Sequence, residues 1–164
     1  MSVLTNHAFH IHTNTSHVLT EIEQAVHSFF PISIEMGAKV RAYDGISVSI
    51  SKPLAQNINH KSCAFGGSIS ALAILSGWSL LYLKLNELGI PNQLVIQKSE
   101  FNFLRPINSD FVAVASMPSN SSWEKFLRAL NRHGRSRISI HSEVKYESGL
   151  GGVHNGVYVA ERTD

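Results

Sequence analysis

A single cysteine, Cys63, stands in 164 residues, so no internal disulfide can staple the chain, and a reducing cytoplasm is its expected compartment. Charge is also sparse, at 16% of residues with a formal net charge of +2 and no long run of Lys and Arg, which removes the electrostatic case for a nucleic-acid partner. Nothing at the N-terminus reads as a secretory leader. What remains is 43% hydrophobic, enough at this length for one globular domain with a real core. Residues 1–15 are expected to be a flexible lead-in. The histidines of HAFHIHTNTSH (7–17) fall mostly within it and are read as polar and frayed, with no metal site.

Periodicity places the elements. Val18, Leu19, Ile22, Ala25, Val26, Phe29 and Phe30 recur at helical spacing until Pro31. Ala38, Val40 and Ala42, then Ile46, Val48 and Ile50, alternate on either side of Asp44-Gly45, which predicts a β-hairpin. Residues 62–83 carry no charge and are long enough to cross a bilayer at ~20 residues. Gly and Ser dilute that run and strand patterns flank it, so a buried helix over about 67–88 is expected instead of a membrane span. The segments LVIQKSEFNFL, FVAVASM, RISIHSEVKY and GVYVA read as strands. SSWEKFLRALNRHG reads as a short helix, with Ser122 as N-cap and Gly134 as stop. An α+β fold follows, with an antiparallel sheet curled over one central helix.

The loop before that helix reads NINHKSCAFGG (57–67) and raises a chemical question, because the helix behind it offers no acid before Glu87. Gly66-Gly67 allow close approach to backbone N–H groups that have no partner within the helix. Phe65, Gly66, Gly67 and Ser68 are therefore candidates to hold a developing oxyanion, helped by the helix dipole. Asn57 and Asn59 can hydrogen-bond a carbonyl or hold a water without ionising. His60 is the nearest base, and a Cys63–His60 pair is conceivable, although a lone thiol is more often packing. The spacing lacks the Lys-Ser/Thr ending of a phosphate loop. Arg132, Arg135 and Arg137, with Arg128 and Lys145 nearby, are candidates for a phosphate-bearing or acidic carrier. Arg105 reads as structural or at a subunit edge, and Trp78 and Trp123 as core or pocket wall.

The order of elements resembles the hot-dog fold. PLAQNINHKSCAFGGSI (53–69), SGW (76–78), FLRPI (103–107), GRSR (134–137) and GVYVA (156–160) resemble the thioesterase-like domain at the C-terminus of YiiD-type proteins, over about residues 16–162. That resemblance implies a homodimer acting on acyl thioesters of coenzyme A (CoA) or acyl carrier protein (ACP). No cofactor is implied beyond the pantetheine that arrives with the substrate. In phenylacetate-type hot-dog thioesterases, the comparable register puts Asn59 on their Asn, Phe65 where their His stands, and Ile74 near their catalytic carboxylate. The missing carboxylate favours malonyl-thioester decarboxylation, which needs no base. Thioester hydrolysis is the alternative, and noncatalytic acyl-thioester binding comes third.

Overall fold

The apolar spacing of the first segment folds as α1 (Thr15–Phe29), and Pro31 ends it by opening a one-turn helix, α2 (Ile32–Glu35), that periodicity did not announce. The structure is a computed structural model that describes residues 15–163. The expected lead-in, with His7, His10 and His12, lies outside the described residues except for Thr15, which opens α1. Next come β1 (Lys39–Tyr43), β2 (Ser47–Lys52), α3 (Gly66–Glu87), β3 (Asn92–Phe103), β4 (Phe111–Ser116), α4 (Asn120–His133), β5 (Arg135–Tyr146) and β6 (Gly149–Arg162). The strands form one antiparallel sheet in the order β1-β2-β4-β5-β6-β3, curved around α3. This is the hot-dog arrangement.

Local details follow from local chemistry. Asp44 Oδ1 accepts from the N–H groups of Ile46 and Ser47 at 3.0 and 2.7 Å, and Gly45 takes φ +87°, so the hairpin turn forms where expected. A register shift between Val40 and Ala42 breaks the alternation, leaving Val40 buried and Ala42 exposed. The cap of α4 is Ser119 rather than Ser122. Its hydroxyl accepts from the Ser122 N–H, three residues into the turn, which is the geometry an N-cap requires. Gly134 closes that helix at φ +70°, as its sequence position predicted.

α3 is buried on nearly every side, packed among Val48, Ile50, Ala113, Ala115, Ile138 and Ile140 of the sheet. It is long and apolar enough to cross a membrane, but 72% of its most apolar window is covered by the fold, so it serves as the core helix. Two of its buried hydroxyls bond within the helix: Ser76 donates to Ala73 O at 2.9 Å and Ser79 to Leu75 O at 2.8 Å. Gly77 has a steric reason. A Cβ there would lie 2.4 Å from Tyr158 Oη, the hydroxyl that donates to Ile74 O at 2.8 Å. The SGW and GVYVA segments are thus two halves of one contact. Gly77→Ala is expected to displace the Tyr158 ring and cost about 1–3 kcal/mol, measurable as a lower urea midpoint with unchanged slope.

Candidate active site

Residues 53–65 tie β2 to α3 as a small hairpin. Phe65 N–H donates to Asn57 O at 2.7 Å, and Ile58 bridges Ala64. Asn59 organises the tip. Its Oδ1 accepts from the N–H groups of Lys61 and Cys63 at 2.8 and 3.4 Å, while Nδ2 donates to Ala64 O at 3.4 Å and faces Cys63 Sγ at 3.3 Å. Ser62 accommodates the turn at φ +60°, which non-glycine residues seldom adopt. Both ends of the Asn59 amide are therefore engaged within the loop. Asn57 is buried and braces a different junction, donating to Met36 O at 2.9 Å and Pro53 O at 2.8 Å; its Oδ1 has no partner among the described residues. His60 is exposed, and no hydrogen bond joins it to Cys63 among the described residues. Cys63 lines a shallow groove with Gly66, Phe103 and Arg105.

The start of α3 is open. Phe65 caps it without a side-chain bond, and Ile69 N–H, at 3.0 Å from Phe65 O, is the first amide of the helix with an acceptor among the described residues. The N–H groups of Gly66, Gly67 and Ser68 are left for a ligand or solvent. A Cβ at Gly67 would lie 2.4 Å from the Phe65 ring, so glycine there is what lets that exposed ring lie against the helix start.

Beside the middle of α3 lies a cavity of about 460 Å³, walled by Phe30, Met36, Ile74, Leu75, Trp78 and Leu94. Trp78 is a wall residue, pinned by its indole N–H to Leu94 O at 3.1 Å and stacked on Tyr82 at 4.8 Å. Ile74, the position nearest the carboxylate of phenylacetate-type enzymes, presents an aliphatic side chain, and none of the lining residues is an acid. The cavity does hold a cation. Lys52 lines it at 2% exposure, with Nζ 3.1 Å from Met36 Sδ and 3.4 Å from Ser68 O, and no carboxylate answers it among the described residues. Burial pushes its pKa down to about 8. The other polar wall residues are Ser33 and Tyr158, and burial raises the Tyr158 phenol.

The sequence reading missed Lys52, although a signal was present. Val48, Ile50 and Lys52 fall on one face of β2 at period two, so the alternation that buries the first two residues buries the third as well.

A family described as "Putative thioesterase (yiiD_Cterm)" matches residues 19–162. The chain belongs to the YiiD C-terminal family. A solved protein of unknown function from Chlorobaculum tepidum TLS is 26% identical, covers 91% of this chain and 97% of its own, and superposes with a TM-score of 0.84. A structure described as a putative thioesterase from Shewanella oneidensis is 24% identical over 89% and 99% of the two chains, with a TM-score of 0.80. A thioesterase from Haemophilus influenzae shares the fold at 15% identity and a TM-score of 0.66, covering 95% and 96%.

In this YiiD-type domain the basic residues divide into two groups. Arg135 and Arg137 line a groove of about 650 Å³ between β5 and α4, together with Lys125, Ser122, Ser136 and Ser139. Arg135 also pairs with Glu161 at 3.2 Å. Arg132 is exposed in the last turn of α4, seven residues and two turns along from Lys125. Arg128 pairs with Glu124 at 3.7 Å on the same helix. Lys145 does not join them. It sits at the other end of β5, roughly 33 Å from Arg135 at about 3.3 Å per residue, and is bound to Glu143 at 2.7 Å. Arg105 borders the Cys63 groove, its N–H directed to Gly151 O at 3.2 Å. Trp123 stacks on Phe126 at 5.3 Å as part of the packing of α4.

Proposed function

We propose that this domain decarboxylates a malonyl thioester of ACP or CoA to the acetyl thioester. The observation that carries the reading is Lys52, a buried ammonium that has no counter-ion among the described residues, in the wall of an apolar cavity with no acid among its described lining residues. An unpaired buried cation is costly unless an anion arrives with the substrate, and a malonyl group brings one into surroundings that otherwise exclude it. When the C–C bond breaks, its electron pair passes into the thioester enolate, and carbon dioxide leaves uncharged. The cation, 3.4 Å from Ser68 O, can then answer the enolate charge, and the open N–H groups of Gly66, Gly67 and Ser68, at the helix start ahead of the lining residue Ala71, are the proposed second set of donors. No cofactor takes part, because the pantetheine comes with the substrate. The groove of Arg135, Arg137 and Lys125 is the proposed contact for the carrier. A second copy is the proposed cover for β3, a twelve-residue edge strand on which Val95 and Phe103 are exposed.

Hydrolysis is the second reading, favoured by the family's description as thioesterases. One experiment separates the two: incubation with malonyl-ACP and malonyl-CoA, with acetyl thioester and free thiol scored by mass spectrometry in the same sample. Acetyl thioester with the thioester bond intact is the expected product. Free thiol and malonate would replace decarboxylation by hydrolysis.

A further inference from the structure

Decarboxylation consumes a proton at every turnover, and that proton must be delivered at the cavity. One chain of groups crosses its wall. Ser33, a polar residue of the same lining, has its Oγ 2.7 Å from His27 Nδ1; the opposite ring nitrogen, Nε2, lies 3.9 Å from Glu23 Oε1. Exposure rises along that line, from 2% for Ser33 to 24% and 32% for the His27 and Glu23 side chains, so the chain leads from cavity to solvent. Each link is held in place. Glu23 and His27 are one helical turn apart on α1, and Glu23 Oε2 accepts from Val40 N–H at 2.9 Å. Ser33 is set by α2, its N–H bonded to Phe30 O at 2.8 Å.

We infer that Ser33, His27 and Glu23 form a proton relay, with Ser33 delivering to the reacting carbon the proton that replaces carbon dioxide. The balance is complete. The malonyl C–C electron pair becomes the enolate, the enolate carbon takes the Ser33 hydroxyl proton, Ser33 takes the Nδ1 proton of His27, and His27 takes a proton from solvent at Nε2 beside Glu23, after which tautomeric exchange with solvent restores the Nδ1–H form for the next turnover. Net, malonyl thioester carboxylate and one proton give acetyl thioester and carbon dioxide. Ser33 is the catalytic member; His27 and Glu23 act through it.

This inference rests on the decarboxylase reading, and its test is built to fail separately. With malonyl-CoA as substrate, Ser33→Ala and His27→Ala are each expected to lower kcat by about 10- to 100-fold with KM within about threefold, the usual scale for losing a positioned proton donor. Added imidazole should restore part of the His27→Ala rate and none of the Ser33→Ala rate. A lost hydrogen bond between α1 and α2 would not respond to imidazole. Unchanged kcat in both variants would overturn the relay while leaving decarboxylation standing. So would a kcat loss without imidazole rescue, which would mark His27 as a structural tie. An acyl group found covalently on Ser33 by intact-mass measurement would overturn it too, since these groups would then be nucleophile and base. If the wild-type protein forms no acetyl thioester, the decarboxylase reading itself falls.

Discussion

Replacing Lys52 by Met is expected to make the protein more stable and nearly inactive at once. Among the described residues the buried ammonium meets only a thioether and a backbone carbonyl, so exchanging it for an apolar side chain of similar length removes an uncompensated charge. A gain of about 1–3 kcal/mol is expected, by the arithmetic of buried charges without partners. Turnover of a malonyl thioester should fall by about 100-fold or more, because the substrate carboxylate would then enter an apolar cavity with nothing to meet it. The pH dependence carries the same signature. The folded-state pKa lies near 8, below the ordinary lysine value of 10.5, so between these limits the unfolded chain binds more protons than the folded one. Wild-type stability relative to Lys52→Met should therefore rise from pH 8 towards 10.5, as the buried group loses its charge. Wild-type kcat/KM should decline as pH rises through about 8. A Met variant that keeps more than a tenth of wild-type turnover, or that melts below wild type, would remove Lys52 from the site.

The second large effect is expected at Asn59. Five contacts inside the 57–65 hairpin use both ends of its amide, so Asn59→Ala should cost about 1–3 kcal/mol through unsatisfied backbone groups. Turnover should fall about 10- to 100-fold, because the same hairpin positions Phe65 and the open amides after it. Asn59→Asp distinguishes the origin of the loss. It keeps the oxygen that accepts from Lys61 and Cys63 N–H, so a loop-organising residue should recover most of the stability and a good part of the rate. Were the Asn59 Nδ2 group to act directly on substrate, Asp would be as inactive as Ala, while Ala would leave the melting temperature unchanged. Thermal melts and steady-state rates on the two variants decide between these outcomes.

Local signals in the sequence determined a large part of this protein. The uncharged run that became α3, the Asp44-Gly45 turn, the Gly134 stop and the strand alternation all report interactions between residues close in the chain, and these survive almost any tertiary context. The motif segments and their order were enough to recognise the family that the match over residues 19–162 shows. Tertiary structure decided the candidate chemistry. NINHKSCAFGG reads as a row of reactive side chains, yet folding turns Asn59 inward to its own loop, buries Asn57 as a brace and leaves His60 in solvent, because the hairpin's backbone groups must be satisfied before any substrate. Lys52 stood on the buried face of its strand in plain alternation. Its proposed role appears only when the cavity shows that no carboxylate among the described residues faces it, which residues far apart in sequence settle. Nothing in the sequence marks Glu23, His27 and Ser33 as a set. The bend at Pro31 brings α2 back against α1 and makes a line of them, because hydrogen-bond geometry depends on where two helices meet and not on their spacing along the chain.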